Sequence, residues 1–223
     1  MIPWRHLDSA PVPGGEGELH LYARGAEFSI RVAAQELMNS RVYASEDALS
    51  KIGCGRIAER RRARVLIGGL GMGYSLRSAL QAVGPDARVV VAELVPAVVR
   101  WNREHFGHLA DHPLRDRRVG VREDDVGAVI AEQKAAYDAI LLDVDNGPNG
   151  LTRSENDALY GDAGLARAKA ALRPSGVLGI WSAAADRAFV KRLRRAGFDV
   201  DEIAIKSRQG NRGARHTLWL ATS

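Results

Sequence analysis

A chain of 223 residues, 46% of them hydrophobic, can bury the core of one sizeable domain with a small appendage, which excludes a disordered polymer. Its formal charge of +5 admits an acidic partner, but the excess is arginine scattered over helices and names none. No basic stretch leads into an apolar run at the N-terminus, and no window approaches the roughly 18 apolar residues of a membrane span. The single cysteine, Cys54, excludes an internal disulfide and a cysteine-rich zinc site. A soluble, cytoplasmic protein with a buried structural thiol is expected.

The stretch to about residue 16 is rich in proline and glycine and reads as an irregular arm. Glu18–Tyr22 and Glu27–Val32 then alternate polar and apolar residues around Arg24-Gly25-Ala26, which predicts a small N-terminal β-hairpin with one buried face. Ser45 followed by Glu46 and Asp47 signals a helix start: the serine oxygen caps free N–H groups and the acids oppose the positive helix end. That helix is expected to reach about Glu59 despite Gly53 and Gly55. The run Arg60-Arg61-Arg62-Ala63-Arg64 reads as a solvated helix end ahead of a strand, with a polyanion site as the minority reading.

From Arg64 the texture changes to short apolar runs separated by helical segments, the signature of βαβ units and a parallel sheet. Strands are predicted at Arg64–Gly68, Arg88–Glu93, Arg118–Arg122, Ala139–Asp143 and Gly176–Trp181. Helices fall at Tyr74–Val83, Pro96–Phe106, Val126–Gln133, Asn156–Leu172 and Ala185–Ala196. Asp199–Ile205 and His216–Ala221 follow without a helix between them, so as neighbours they must pair antiparallel. The division expected is an N-terminal subdomain over residues 1–44 and an α/β domain over 45–223.

Val65-Leu66-Ile67 runs into Gly68-Gly69-Leu70-Gly71-Met72-Gly73, a buried strand entering a glycine loop and then a helix. Glycines let the chain turn tightly and let a ligand reach the main chain and the free N–H groups of the helix; a purely structural turn is the alternative. The dinucleotide fingerprint needs glycine where Tyr74 stands. About twenty residues on, a second apolar strand ends in Glu93, placed to accept hydrogen bonds from both ribose hydroxyls. Glu123-Asp124-Asp125 and Asp143-Val144-Asp145 close two more strands. Ligands of open parallel sheets collect beyond the strands' carboxyl ends, so these acids converge on one rim. Asp125 is placed to accept from an adenine amino group, with helix capping as the alternative for Asp124 and Asp125.

With Gly68 to Gly73, Glu93, Asp125 and Asp143 in place, the chain resembles the class I S-adenosylmethionine-dependent methyltransferase fold and, within it, is similar to the spermidine synthase family. The resemblance covers about residues 64–182 well and the N-terminal hairpin loosely. It implies a Rossmann-like, seven-stranded, mostly parallel sheet with an antiparallel last strand, and S-adenosylmethionine or its decarboxylated form as cosubstrate. It assigns Glu93 to the ribose, Asp125 to the adenine and Asp143 to removal of a proton from an attacking amine. The loop departs from the family's G-G-G-D-G-G: Gly71 takes the aspartate's place, and Leu70 and Met72 replace glycines. Asn146 stands where the family carries a second aspartate, with Asp145 one residue earlier.

The chemistry implied is attack of a nucleophile on a carbon beside a sulfonium, with the protein aligning the partners and removing a proton. No metal is needed, and no histidine grouping has zinc-ligand spacing. Asp143 and Asp145 are the candidate catalytic acids, followed by the tight loop Asn146–Gly150; a simple turn is the alternative there. Tyr74, Asn146 and Trp181 are candidates for the acceptor pocket, core packing being the alternative for the two aromatics. Lys206, Arg208, Arg212, Arg215 and His216 form a basic loop that reads as solvated hairpin. The leading expectation is methyl transfer to a small acceptor such as an amine, against aminopropyl transfer from the decarboxylated donor, an inactive ligand-binding scaffold, and a nucleic-acid methyltransferase. A small-molecule acceptor, no membrane partner and a chain free to form a homodimer complete the expectation.

Overall fold

The computed structural model describes residues 2–13, 17–144, 159–206 and 213–223. It opens with a four-stranded antiparallel sheet in the order β1 (Arg5–Pro11), β2 (Glu18–Arg24), β3 (Glu27–Val32) and β4 (Gln35–Asn39). The predicted hairpin is its middle pair. The irregular arm is corrected to an edge strand, since Arg5 to Pro11 pair with β2 and the prolines fall outside the strand or at its last residue. Alternation in β2 sends Leu19, Leu21 and Ala23 inward, where they join Phe28, Ile30, Trp101 and Phe106 in one apolar cluster.

Helix α1 (Ala44–Gly55) crosses to the second sheet. Two expectations change here. Tyr43, not Ser45, is the N-cap residue and no side chain caps the helix, because the Ser45 hydroxyl is engaged with His216 Nδ1 at 2.9 Å. The helix also ends at Gly55 rather than Glu59. Gly53 persists inside it because the helix lies flat on the sheet: a Cβ there would sit 2.6 Å from Leu141.

Next come β5 (Arg64–Gly68), α2 (Tyr74–Ala82), β6 (Arg88–Ala92), α3 (Pro96–Trp101), β7 (Val119–Arg122), α4 (Val126–Ala131) and β8 (Tyr137–Leu142). After α3 the chain widens into a π-helical turn, Asn102–Phe106. The chain closes with α5 (Asp162–Ala171), β9 (Leu172–Ser182), α6 (Arg187–Arg195), β10 (Asp199–Lys206) and β11 (Arg215–Thr222); the predicted helix start at Asn156 lies outside the described residues. The sheet order is β10-β11-β9-β8-β5-β6-β7, seven strands with β11 antiparallel to both neighbours. This is the predicted Rossmann-like architecture. Every residue of β8 is buried. Its one charge, Asp138, is held at the amino edge by Arg60 (2.7 Å), Arg173 (2.9 Å) and the Arg64 backbone N–H (2.7 Å). Arg60 is thus a tie between strands, not part of a solvated helix end.

Candidate functional site at the carboxyl rim

The parallel register β7-β6-β5-β8 sets the ends of four strands side by side, and the glycine loop leaves the middle of that row. Gly69, Gly71 and Gly73 have φ of +87°, +50° and +86°, a region closed to most side chains. Space confirms the requirement. A Cβ at Gly69 would collide with the Asp143 carbonyl oxygen, and one at Gly71 would meet the Met38 methyl at 2.7 Å. The Asn102 amide donates to the Gly71 carbonyl at 2.6 Å, while its own Oδ1 is buried with no partner among the described residues.

Glu93 lies at the end of β6, 8% exposed. Its oxygens accept the backbone N–H of Leu70 and of Val95, each at 2.9 Å, so the glycine loop itself fixes this carboxylate at its mouth. Asp124 pairs with Arg122 at 3.1 Å. Asp125 is exposed and caps α4, accepting from the Ala128 N–H at 2.9 Å.

Asp143 follows β8 and is half-buried, accepting a 2.6 Å hydrogen bond from the Ser75 hydroxyl. Burial pushes its carboxyl up to about 6, and the Ser75 bond offsets part of that rise. Glu46, in the first turn of α1, shares this corner. Burial and then the Asp143 charge, with a smaller contribution from Asp47, push Glu46 well above the usual carboxylate range. Ser75 joins the two residues, since its hydroxyl also lies 3.3 Å from the Glu46 carbonyl oxygen.

Beside this corner, at the start of β11, burial pushes the His216 imidazole below its usual range, and its ring meets that of Trp181 edge-on, centroids 4.7 Å apart. Trp181 Nε1 is buried with no acceptor among the described residues. Tyr74 is packed rather than open to a pocket: it is 3% exposed, stacks on Tyr43 at 4.3 Å and donates its hydroxyl to Ser40 O at 3.1 Å. Asp145 and Asn146 lie outside the described residues. Cys54 is fully buried, its thiol pushed up to about 12 by burial, as befits a structural residue.

The structure therefore brings Gly68 to Gly73, Glu93, Asp124, Asp125 and Asp143 onto one rim. Sequence reasoning missed Glu46, Ser75, Met38 and Asn102 there. Glu46 carried a signal, but an acid after a serine reads as helix-start chemistry, and only the packing of α1 brings its first turn to Ser75, which also holds Asp143. Among the described residues no group of three or more His, Cys, Asp or Glu side chains is placed to hold a metal ion, and no helix is long and apolar enough to cross a membrane.

No protein-family model matches the chain, and no curated protein does. Solved structures do match. A spermidine synthase from Thermotoga maritima superposes with a TM-score of 0.75 at 14% identity, over 98% of this chain and 72% of that one. A spermidine synthase in complex with the transition state analogue AdoDATO gives 0.74 at 14% identity, with the same coverage of 98% and 72%. A probable spermidine synthase from Corynebacterium glutamicum gives 0.64 at 18% identity, over 98% of this chain and 79% of that one. The chain has the spermidine synthase fold, N-terminal sheet included.

Proposed function

We propose that this protein transfers an aminopropyl group from a decarboxylated S-adenosylmethionine donor to an amine acceptor, with Asp143 removing the amine's proton. The observation that carries the reading is the corner of Asp143 and Glu46: two half-buried acids beside the glycine loop, with no cationic partner among the described residues. An amine is protonated at neutral pH and attacks only after losing a proton. A carboxylate near pH 6 can hold the ammonium by its charge and then accept that proton. A donor that kept its own carboxylate would bring another acid to a corner where burial and Asp143 already oppose ionisation of Glu46, so electrostatics favours the decarboxylated form. The fold relative bound to AdoDATO supports the same donor class.

The residues present fit such a donor. The positive-φ glycine loop leaves its main chain open to close approach, Glu93 is assigned to the ribose, and Asp124 and Asp125 to the adenine side. When bound, the donor supplies an electrophilic carbon next to a positively charged sulfur. Asp143 takes the proton as the nitrogen–carbon bond forms and the carbon–sulfur bond breaks, leaving a thioether. Asp145, Asn146 and Trp181 are assigned to the acceptor side.

One observation favours methyl transfer as a second reading. The family's loop aspartate is replaced by Gly71, and the Met38 methyl covers that position, so no acid stands there to hold a donor's amine. Calorimetric titration with methylthioadenosine and with S-adenosylhomocysteine separates the readings. At least tenfold tighter binding of methylthioadenosine is expected; tighter S-adenosylhomocysteine binding selects methyl transfer, and no binding of either removes both.

A further inference from the structure

Many arginines of this chain are neutralised by an acid, as Arg24 is by Glu27, Arg77 by Asp47, Arg100 by Asp8 and Arg122 by Glu132. Arg61, Arg62, Arg64, Arg88, Arg115 and Arg117 are different: among the described residues none of them has an acid at ion-pair distance. Arg64 is half-buried and the other five are exposed. Register gathers them at the amino edge of the large sheet. β5, β6 and β7 are parallel neighbours, with Arg64 opposite Arg88 and Val89 opposite Val119. Arg64, Arg88 and Arg118 therefore form one row across three strand starts, about 10 Å wide at the usual strand spacing.

Backbone bonds hold the flanking arginines to that row. The Arg88 N–H donates to the Ala63 carbonyl at 2.8 Å, which sets Arg62 and Arg64 beside it, and the Arg88 guanidinium donates to the Arg117 carbonyl at 3.3 Å. Arg118 is committed to Asp116 at 2.8 Å and to the Val83 and Gly84 carbonyls, each at 3.2 Å, so it pins the loop before β7 against the end of α2. Arg115 to Arg118, with Val83 and Pro85, line a shallow depression of about 610 Å³ there. The acids of the same segments are Glu59 and Asp86, both exposed, and the bound Asp116, while the buried Asp138 is taken by Arg60 and Arg173. Positive charge is thus in excess along the edge. Like charges gathered this way repel one another and attract a polyanion.

What the edge lacks selects the polyanion. Its segments, residues 57–64, 83–88 and 113–118, contain no Phe, Tyr or Trp. Single strands are held in large part by bases stacked on aromatic rings, and this edge has none to give. A duplex instead turns its phosphates outward, about one charge per 1.7 Å of axis, and guanidinium groups bind them without reading sequence. We propose that the amino edge of the sheet is a docking surface for the phosphate backbone of double-stranded nucleic acid, contacted by Arg61, Arg62, Arg64, Arg88, Arg115 and Arg117. The surface lies at the opposite end of the strands from Gly69 and Asp143. The duplex is therefore a partner that holds the protein, not the acceptor of a transferred group, and the assignment does not depend on the transfer reading.

Fluorescence anisotropy with a labelled DNA duplex of about 20 base pairs, repeated across salt concentrations, tests this. With about five phosphates neutralised, log K should fall against log salt with a slope of about −4 to −5. Arg61→Ala, Arg88→Ala and Arg117→Ala should each make the slope shallower by about 1, and the triple variant should bind at least tenfold more weakly. The single variants carry the test if the triple one does not fold. Arg5, Arg103 and Arg187 are exposed on other parts of the molecule, on β1, on the π-helical turn and at the start of α6. Replacing those three with alanine removes the same charge and should leave affinity within threefold. Equal losses in the two triple variants would reduce the attraction to net charge and overturn the proposal, as would no binding at about 50 mM salt. Tighter binding of a single strand of the same length would overturn it as well.

Discussion

A carboxylate that must first attract an ammonium and then take its proton works best with a pKa just below the working pH, and burial brings Asp143 to about 6. The rate should therefore fall as pH drops through about 6, and Asp143→Asn should lower kcat by about a hundredfold or more, with methylthioadenosine binding retained. Steady-state rates between pH 5 and 9 check both; a flat acid limb rules out Asp143 as the base. Stability should move the other way. The folded chain holds this proton more tightly than the unfolded chain, whose carboxyl sits near 3.8. The residue's contribution to stability is then fully present below about pH 4 and is lost as pH rises through 6. Asp143→Asn should raise Tm at pH 8 by a few degrees, from about 1 to 2 kcal/mol after allowing for partial exposure. Gly69→Ala should do the reverse, lowering Tm and donor affinity together, because its Cβ meets the Asp143 carbonyl and its φ is +87°. At this scale the place of Glu93 and Asp143 on the rim was legible from their strand-end positions, and that of the loop glycines from the turn their spacing demands. The place of Glu46 beside them was not, because a helix's first turn looks the same in sequence whether it faces water or another element.

At the scale of elements, the parallel strands and their helices were legible from texture because each is an apolar run bounded by glycine, proline or charge. What joins them was less so. Asp138 has neither a motif nor a strand-end position to mark it, yet at 2% exposure it gathers Arg60, Arg173 and the Arg64 N–H, tying β8 to β5 and β9 at the edge opposite the site. Arg60 also donates to Pro174 O and Ser175 O at 2.9 and 2.8 Å. Asp138→Ala should cost about 2 to 3 kcal/mol, below the roughly 3 to 5 of a fully buried pair, because side-chain exposures of 31% and 34% leave Arg60 and Arg173 partly hydrated. Since the damage falls on the amino edge, methylthioadenosine affinity should not change. Urea denaturation with a parallel titration checks this; a large loss of affinity would mean that the two sheet edges are coupled.

The N-terminal sheet poses the whole-molecule question of whether it merely covers the α/β layer or helps to set the site. Only its middle strands were legible. Those strands carry buried residues, alternating in β2 and consecutive from Phe28 to Ile30 in β3, whereas β1 and β4 are edges whose residues are largely exposed or half-buried, so pairing defines them and composition does not. Contacts answer for a role in the site. Asp8 on β1 accepts from Trp101 Nε1 at 2.6 Å and from Arg100 at 2.7 Å, and these bonds hold its carboxyl down at about 2. Asn102, next to Trp101, holds the Gly71 carbonyl, and Met38 of β4 rests on Gly71 from the other side. The sheet therefore reaches the glycine loop along two routes. With a folded pKa below its ordinary 3.8, Asp8 adds stability that is present above about pH 4 and lost as pH falls toward 2. Its one-third exposed side chain limits that contribution to about 1 kcal/mol. Asp8→Ala should accordingly lower Tm by about 2 to 4 °C at pH 7, with little difference from wild type near pH 2.5. If the sheet also sets the loop, the same variant should weaken methylthioadenosine binding several-fold, although the substitution lies on the sheet and not in the loop. A lowered Tm with unchanged affinity would confine the N-terminal sheet to covering the core; loss of both would make loop geometry a property of the assembled pair of sheets.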